Sequence, residues 1–283
     1  MQKISLILFL SFCLNIFGQG ISVFYNLEYK PQLNSDKLEN EKMLLNIFPN
    51  EQTSYFYSYS GIKIDSLSNE IKISTNPSEK THLISSLPSQ NFWFTIKKNY
   101  TVNNVEVLEE ISGDDYLYPE VLDLKWKIGT EKKKIKGYDC RKATTTLGER
   151  YWEAWFTEDI PIPDGPYKFG GLPGLILEVS SIDKDYFFTM VGIENKNISN
   201  KWNTKLAIKL KNKEEMLNYK EKYIKSPSAK ARLEDQQMGL SSGAIINGVK
   251  YSAEESYQLL DKEVWDWIEK HNNPIEKNDL WVK

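Results

Sequence analysis

Residues able to do acid–base chemistry gather in one stretch of the chain. Glu153, Glu158, Asp159, Asp164 and Glu178 lie close together in sequence, and two carboxylates whose surroundings push their pKa values apart can share the acid and base steps of a hydrolysis. Surface and turn roles compete with that reading; Asp164, directly before Gly165, suits a turn. Cys140 offers a thiol, but no His stands near it in sequence, and a free Cys in a strand-like run is ordinarily a small buried hydrophobe. The 2 His, His82 and His271, are far apart. The first reads as a surface residue in a Ser/Thr-rich stretch, the second as a helix C-terminal residue favoured by the dipole. No Gly-rich phosphate loop, nucleophile elbow or zinc-type spacing occurs, so the residues assign no catalytic group, no metal site and no cofactor.

Candidate binding residues surround the same acids. Trp152, Trp155, Tyr167, Phe169, Gly171, Leu172, Pro173 and Gly174 fall on a strand and on the Pro/Gly-rich excursion that follows it, where a rigid scaffold can present them as the lip of a cleft. Successive side chains of a strand take opposite faces, so Tyr151, Glu153 and Trp155 point one way and Trp152, Ala154 and Phe156 the other. Large rings on both faces predict a central strand covered on each side. Pro161, Pro163 and Pro166 keep the excursion out of a sheet interior, and Leu175, Ile176 and Leu177 re-enter the core. For most of these residues the first reading is a folding signature, a rigid loop that closes the sheet; the cleft lip is the sharper alternative.

The elements that must hold these residues are mostly strands. Ile21, Val23, Tyr25, Leu27 and Tyr29 alternate as one face of a half-buried strand. Residues 35–47 read as a helix or a long connection. Short strands are predicted at 54–60, 70–74, 91–98, 105–111, 124–128, 132–136, 139–147, 151–157, 175–179 and 186–193, and the turn residues between them predict an antiparallel meander. The lysine run at 132–136 marks a solvated edge strand; a docking patch for an acidic partner is its other reading. Beyond residue 203, helices are predicted at 214–225, 227–238 and 252–270. Ser252 and Glu255 have capping-box spacing, and Tyr257, Leu260, Val264, Trp267 and Ile268 form an apolar stripe that must rest on the sheet. The expected architecture is mainly β with C-terminal helices (α+β). In it a curved antiparallel sheet, half-barrel-like in its more specific form, spans 19–202 and is covered by the helical region 203–283.

Residues 1–18 read as a secretory signal peptide: a charged start at Met1–Lys3, an apolar run from Ile4 to Phe17, then Gly18-Gln19-Gly20. The run is shorter than the roughly 20 residues that span a bilayer, and no transmembrane segment is expected in the mature chain. Cleavage after Gly18 places the protein in the periplasm, at the cell surface or outside the cell. Cys13 is a weaker alternative as a lipidation site, since bulky Phe12 precedes it. A formal net charge of -3 supplies no field suited to nucleic acid.

The segment from Trp152 to Val179 resembles the GLPGLI family, named for the hexapeptide that stands here as Gly171 to Ile176. Lys136–Ala143 resembles that family's strand before the motif, and Asn272-Asn273-Pro274-Ile275-Glu276 its C-terminal ending. The resemblance covers essentially the whole chain and implies an exported protein of Bacteroidetes-type bacteria; it implies no reaction. Strand order is also loosely similar to the half-barrels of bacterial lipoprotein carriers. The expected function is therefore a non-catalytic cell-envelope protein that holds an apolar ligand, a peptide or an outer-membrane partner. The alternatives are an accessory partner of an outer-membrane transport system and a hydrolase using Glu153, Glu158 or Asp159.

Overall fold

A computed structural model describes residues 20–99, 104–196, 198, 202–239, 243–246 and 248–282. The signal peptide read at 1–18, with Cys13, lies outside the described residues. Among those residues one 12-stranded sheet dominates. Its strands are β1 (Ile21–Tyr29), β2 (Glu39–Phe48), β3 (Thr53–Ser58), β4 (Phe94–Asn99), β5 (Asn104–Ile111), β6 (Asp114–Val121), β7 (Lys127–Ile135), β8 (Tyr138–Leu147), β9 (Arg150–Thr157), β10 (Leu175–Ser181), β11 (Tyr186–Glu194) and the short β12 (Ile208–Lys209). The helices are α1 (Tyr59–Ile73), α2 (Pro77–Ser85), α3 (Lys213–Lys225), α4 (Ala229–Met238) and α5 (Ala253–Lys270), with a small hairpin, β13 (Ile245–Ile246) and β14 (Val249–Lys250), between the last two.

The strand order is β12-β6-β5-β4-β3-β2-β1-β11-β10-β9-β8-β7. Two antiparallel meanders, β2–β6 and β7–β11, are thus joined through β1, which pairs with both β2 and β11. β6 and β7 are consecutive in sequence yet lie toward opposite ends, so the sheet stays open and does not close into a barrel. It does curl. The rings of Phe56 in β3 and Phe188 in β11 meet with centroids 6.1 Å apart, although β2 and β1 run between them and three strand spacings amount to about 14 Å on a flat sheet. The concave side buries one large core that includes Tyr25 and Leu27 of β1, Met43 and Leu45 of β2, Ile96 of β4 and Trp152, Ala154 and Phe156 of β9. A smaller cluster of Phe24, Leu44 and Tyr57 on the convex side receives Tyr59 and Ile62 of α1.

Several elements differ from the sequence reading, among them α2 (Pro77–Ser85), which has no predicted counterpart, and β7, which merges the strands predicted at 124–128 and 132–136. The segment at 35–47 is largely β2, whose Met43–Ile47 are all buried; both faces are covered, so no alternation survives. Of the strand predicted at 70–74, residues 70–73 are the end of α1 and Ser74 is its C-cap; the helix's docking residues Tyr59 and Ile62 lie a turn or more upstream. β6 lies outside the predicted strands; its Pro119 is tolerated because β12 pairs only with Tyr116 and Leu117 and needs nothing from position 119. The lysine-rich β7 is an edge strand. β9 is covered on one side only, with Tyr151 left 71% exposed on the other. α5 starts in the expected Ser252/Glu255 capping box, and its Val264 and Ile268 rest on the main core.

Candidate functional site

The Pro/Gly loop between β9 and β10 folds into the concavity. Tyr25 Oη donates to the Ile176 carbonyl at 2.7 Å, and Trp126 Nε1 to that of Gly170 at 2.8 Å. Lys98 of β4 pairs with Asp164 at 2.5 Å. Of the residues singled out for binding, Trp152, Tyr167, Phe169 and Leu172 are core; Phe169 meets the Trp152 ring edge-on at 4.9 Å. Gly174 is buried, and a Cβ there would lie 2.7 Å from the Thr157 carbonyl carbon. Gly171 and Pro173 lie at the surface, and Trp155 is on the outer face with Lys133 Nζ 4.4 Å above its ring. The nearby acids are taken up singly: Glu153 by Lys142 at 2.7 Å, Glu158 by Arg141 at 3.0 Å, and Glu178 by Lys133 at 2.5 Å. Asp159 accepts from the Asp139 amide at 3.3 Å. Asp164 is the buried member of the set, an ion-pair partner as well as a turn former.

The C-terminal segment 273–282 crosses the same concavity and carries charge into it. Glu276 meets Lys168 at 2.5 Å and Lys213 at 2.6 Å, and accepts from Tyr167 Oη at 2.6 Å. Asp279 and Glu109 share Lys220 at 2.9 and 2.8 Å. Burial alone would raise the Glu276 carboxyl; the charges and hydrogen bonds of Lys168 and Lys213 outweigh it and hold the group down at about 2. Glu109 goes the other way, raised by burial against the pull of Lys220. The free space among these groups is only about 50 Å³, room for a water or two. This network fastens the segment; it does not admit a substrate.

Room for one exists on the convex face. Between α1 and the strands β3–β6 lies a groove of about 410 Å³, within the usual range of ligand sites. Tyr57, Thr95, Leu108, Glu110 and Asp115 line it from the sheet, Ile62, Asp65 and Asn69 from α1, and Trp93 and Trp202 from the connections. Trp93 is held by its Nε1–H donating to the Gln90 carbonyl at 3.1 Å. Trp202 leans on Tyr55 with centroids 5.6 Å apart. Gly61 makes space for the Gln90 amide, whose Oε1 would stand 3.2 Å from a Cβ there and is buried without a hydrogen-bond partner.

Glu110 and Asp115 face each other across β5 and β6, where directly opposed side chains start about 5 Å apart. The Glu110 carboxyl is raised by burial first and then by the charges of Asp115 and Asp65. Asp115 is raised by burial and by Asp114. A pair of this kind can offer one protonated and one ionised carboxyl at mildly acidic pH. Sequence reasoning passed over these acids, yet a signal was present. Ser112-Gly113, both at positive φ (52° and 79°), form a two-residue hairpin turn of the favoured hand, which brings 110 and 115 opposite each other. Among the described residues no group of three His, Cys, Asp or Glu is placed to hold a metal ion.

The sequence profile of the family described as "N-glycanase peptide, N-terminal domain" matches residues 68–221, more than half of the chain. The chain belongs to this family. The matched region runs from late α1 into α3 and includes Trp93, Glu110, Asp115 and Trp202. It replaces the GLPGLI assignment. That hexapeptide specifies local geometry, a positive φ of 84° at Gly171 and a close approach at Gly174, and such geometry does not fix a family. The expectation of a non-catalytic binding protein falls with it, because the family is named for the N-terminal domain of an N-glycanase, which lies nearer to the hydrolase alternative.

Two solved structures of PNGF-II, in space groups P21 and C2, superpose with TM-scores of 0.47 and 0.48 at 15% and 16% identity, over 72% of this chain and 32% of theirs. An uncharacterized conserved protein from Thermus thermophilus superposes with a TM-score of 0.36 at 6% identity, over 69% of this chain and 93% of that one. The chain thus spans about a third of the PNGF-II length. Comparison with curated proteins finds no match. No helix among the described residues is long and apolar enough to cross a membrane.

Proposed function

We propose that this protein acts in the hydrolytic removal of N-linked glycans, with the groove beneath α1 as the place where the sugar is held. One observation carries the reading: Glu110 faces Asp115 inside a roomy groove whose lining includes Trp93 and Trp202. Glu110, whose carboxyl is raised by burial and by the charges of Asp115 and Asp65, gives its proton to the leaving atom, and Asp115 as carboxylate draws a proton from the attacking water. The flat rings of Trp93 and Trp202 offer apolar surface to sugar C–H faces at little cost in side-chain freedom. Membership of a family named for an N-glycanase supports the same substrate class. Export, read from residues 1–18, belongs to the proposal, since N-glycosylated proteins are met outside the cytoplasm.

The test is glycan release from an N-glycosylated peptide by the purified chain, followed by mass spectrometry. Glu110→Gln and Asp115→Asn are each expected to slow release by about 10²–10⁴-fold while leaving the circular dichroism unchanged. No release by the wild-type chain, or full activity in both variants, overturns the assignment.

A further inference from the structure

The open side of the sheet holds a second, separate cavity. It measures about 210 Å³, and its walls include Lys98 of β4, Leu122, Leu124 and Trp126 from the connection between β6 and β7, and Asp164 and Gly170 of the Pro/Gly loop. Asp164 is the informative group. It is 1% exposed; its Oδ1 accepts from Lys98 Nζ at 2.5 Å and from the Gly165 amide at 2.8 Å, while its Oδ2 is buried with no hydrogen-bond partner. A buried carboxylate oxygen left without a donor costs stability, and this one belongs to a residue that lines an open cavity.

The chemistry of the missing donor follows from the neighbours. Lys98 cannot turn to Oδ2, because it also donates to the carbonyls of Gly165 at 2.5 Å and Phe169 at 3.3 Å, which uses its three protons. The Lys98–Asp164 pair is already neutral, and Lys168, the other charged residue of the lining, is held by Glu120 and Glu276 at 2.5 Å each, so a charged guest would have to compete for a partner that is already taken. Trp126 is fixed through its Nε1–H on the Gly170 carbonyl at 2.8 Å and contributes an aromatic wall. The volume is below that of sites for drug-sized ligands, which suits a single ring.

We propose that this cavity binds a neutral hydroxylated ring, one sugar unit in size, that donates an O–H to Asp164 Oδ2 and rests against Trp126. The site uses residues distinct from the groove and stands or falls independently of the hydrolase reading.

The test titrates the wild-type chain with D-mannose and N-acetyl-D-glucosamine, and with glucosamine and glucuronic acid as charged controls, by saturation-transfer NMR and tryptophan fluorescence. A neutral sugar is expected to bind, and the charged controls to bind about tenfold more weakly or less. Leu124→Phe, which fills the cavity, and Trp126→Ala should each weaken binding by about tenfold or more, with melting curves confirming the fold. Asp164→Asn adds the direct test of Oδ2; because it breaks a buried ion pair, Leu124→Phe carries the result if that variant does not fold. Absence of signal from either neutral sugar at tens of millimolar overturns the proposal. Binding unchanged in both Leu124→Phe and Trp126→Ala overturns it as well. Binding lost in those variants and kept in Glu110→Gln supports it.

Discussion

Gly148, in the turn between β8 and β9, lies directly against Glu276: a Cβ at position 148 would come 2.6 Å from the Glu276 Cα and nearer still to its Cβ and Cγ. The Lys277 amide donates to the Gly148 carbonyl at 2.7 Å. Two residues along, the buried Arg150 donates to the carbonyl of Ile275 at 3.0 Å and to the Asn273 side chain. The C-terminal segment is therefore clamped onto the β8–β9 hairpin. Gly148→Ala meets two penalties there, a side chain at φ 58° and an overfilled contact. Each costs about 1–3 kcal/mol, so a loss of about 2–6 kcal/mol is expected in chemical denaturation. A loss below about 1 kcal/mol would mean that the segment is not docked in solution.

Glu276 gives the fold an acid-sensitive contribution. Its carboxyl is held at about 2 in the folded chain against an ordinary 4.5, so the folded state binds fewer protons than the unfolded state between those values. Its stabilisation is fully present above pH 4.5 and is lost as the pH falls from there through about 2. Glu109, raised by burial, works with the opposite sign: its contribution weakens as the pH rises past its unfolded value. Glu276→Gln leaves Lys168 and Lys213 short of a partner and should cost about 3–5 kcal/mol at neutral pH. It should also flatten the fall of Tm between pH 4.5 and 2. A variant whose melting temperature falls as steeply with acid as the wild type would place the sensitivity elsewhere.

How much of this was legible in sequence depended on how local the cause was. The alternation at 151–157 sorted Trp152, Ala154 and Phe156 onto one face of β9, but the rings on both faces predicted cover on each side and only this face is buried, at the period of two that one covered face writes. β2 wrote no such pattern, since α1 covers its other face from a distance in sequence. Ile71-Lys72-Ile73 alternates like a strand, yet it continues a helix anchored upstream by Tyr59 and Ile62. The groove is harder still. Trp93, Trp202, Asp65 and the β5–β6 acids come from separate stretches of chain, and only the Glu110–Asp115 pairing is set by a local turn. The burial of Asp164 was not legible either, because its partner Lys98 sits on a strand of the other meander.

Cys140 should be chemically quiet. It is buried on β8, and burial, the main cause, pushes its thiol up to about 11. At pH 8 that leaves about one thiolate in a thousand, and thiolate is the reactive form. Native protein should therefore resist iodoacetamide at pH 8 and label fully only after denaturation, as read by intact mass. Rapid labelling of the native chain would show that β8 opens readily and that the edge of the sheet is less secure than its ion pairs imply.

The proton-donor role of Glu110 predicts a specific electrostatic response. Its carboxyl is raised by burial, by Asp115 and by Asp65, so a share of that shift should vanish when a neighbouring charge is removed. In Asp115→Asn the Glu110 midpoint, followed by carbon NMR of its carboxyl, should move down toward 4.5 and stop above it, because the burial contribution is left in place. Trp93→Ala should leave the inter-carboxylate effect intact while weakening glycan binding, which would appear as a raised KM with the descending alkaline limb of kcat unmoved. That limb falls as Glu110 loses its proton with rising pH, and in Asp115→Asn whatever activity persists should lose it at lower pH than the wild type. A Glu110 midpoint indifferent to Asp115 would mean that the two carboxyls do not sense each other, and the division of acid and base between them could not be sustained.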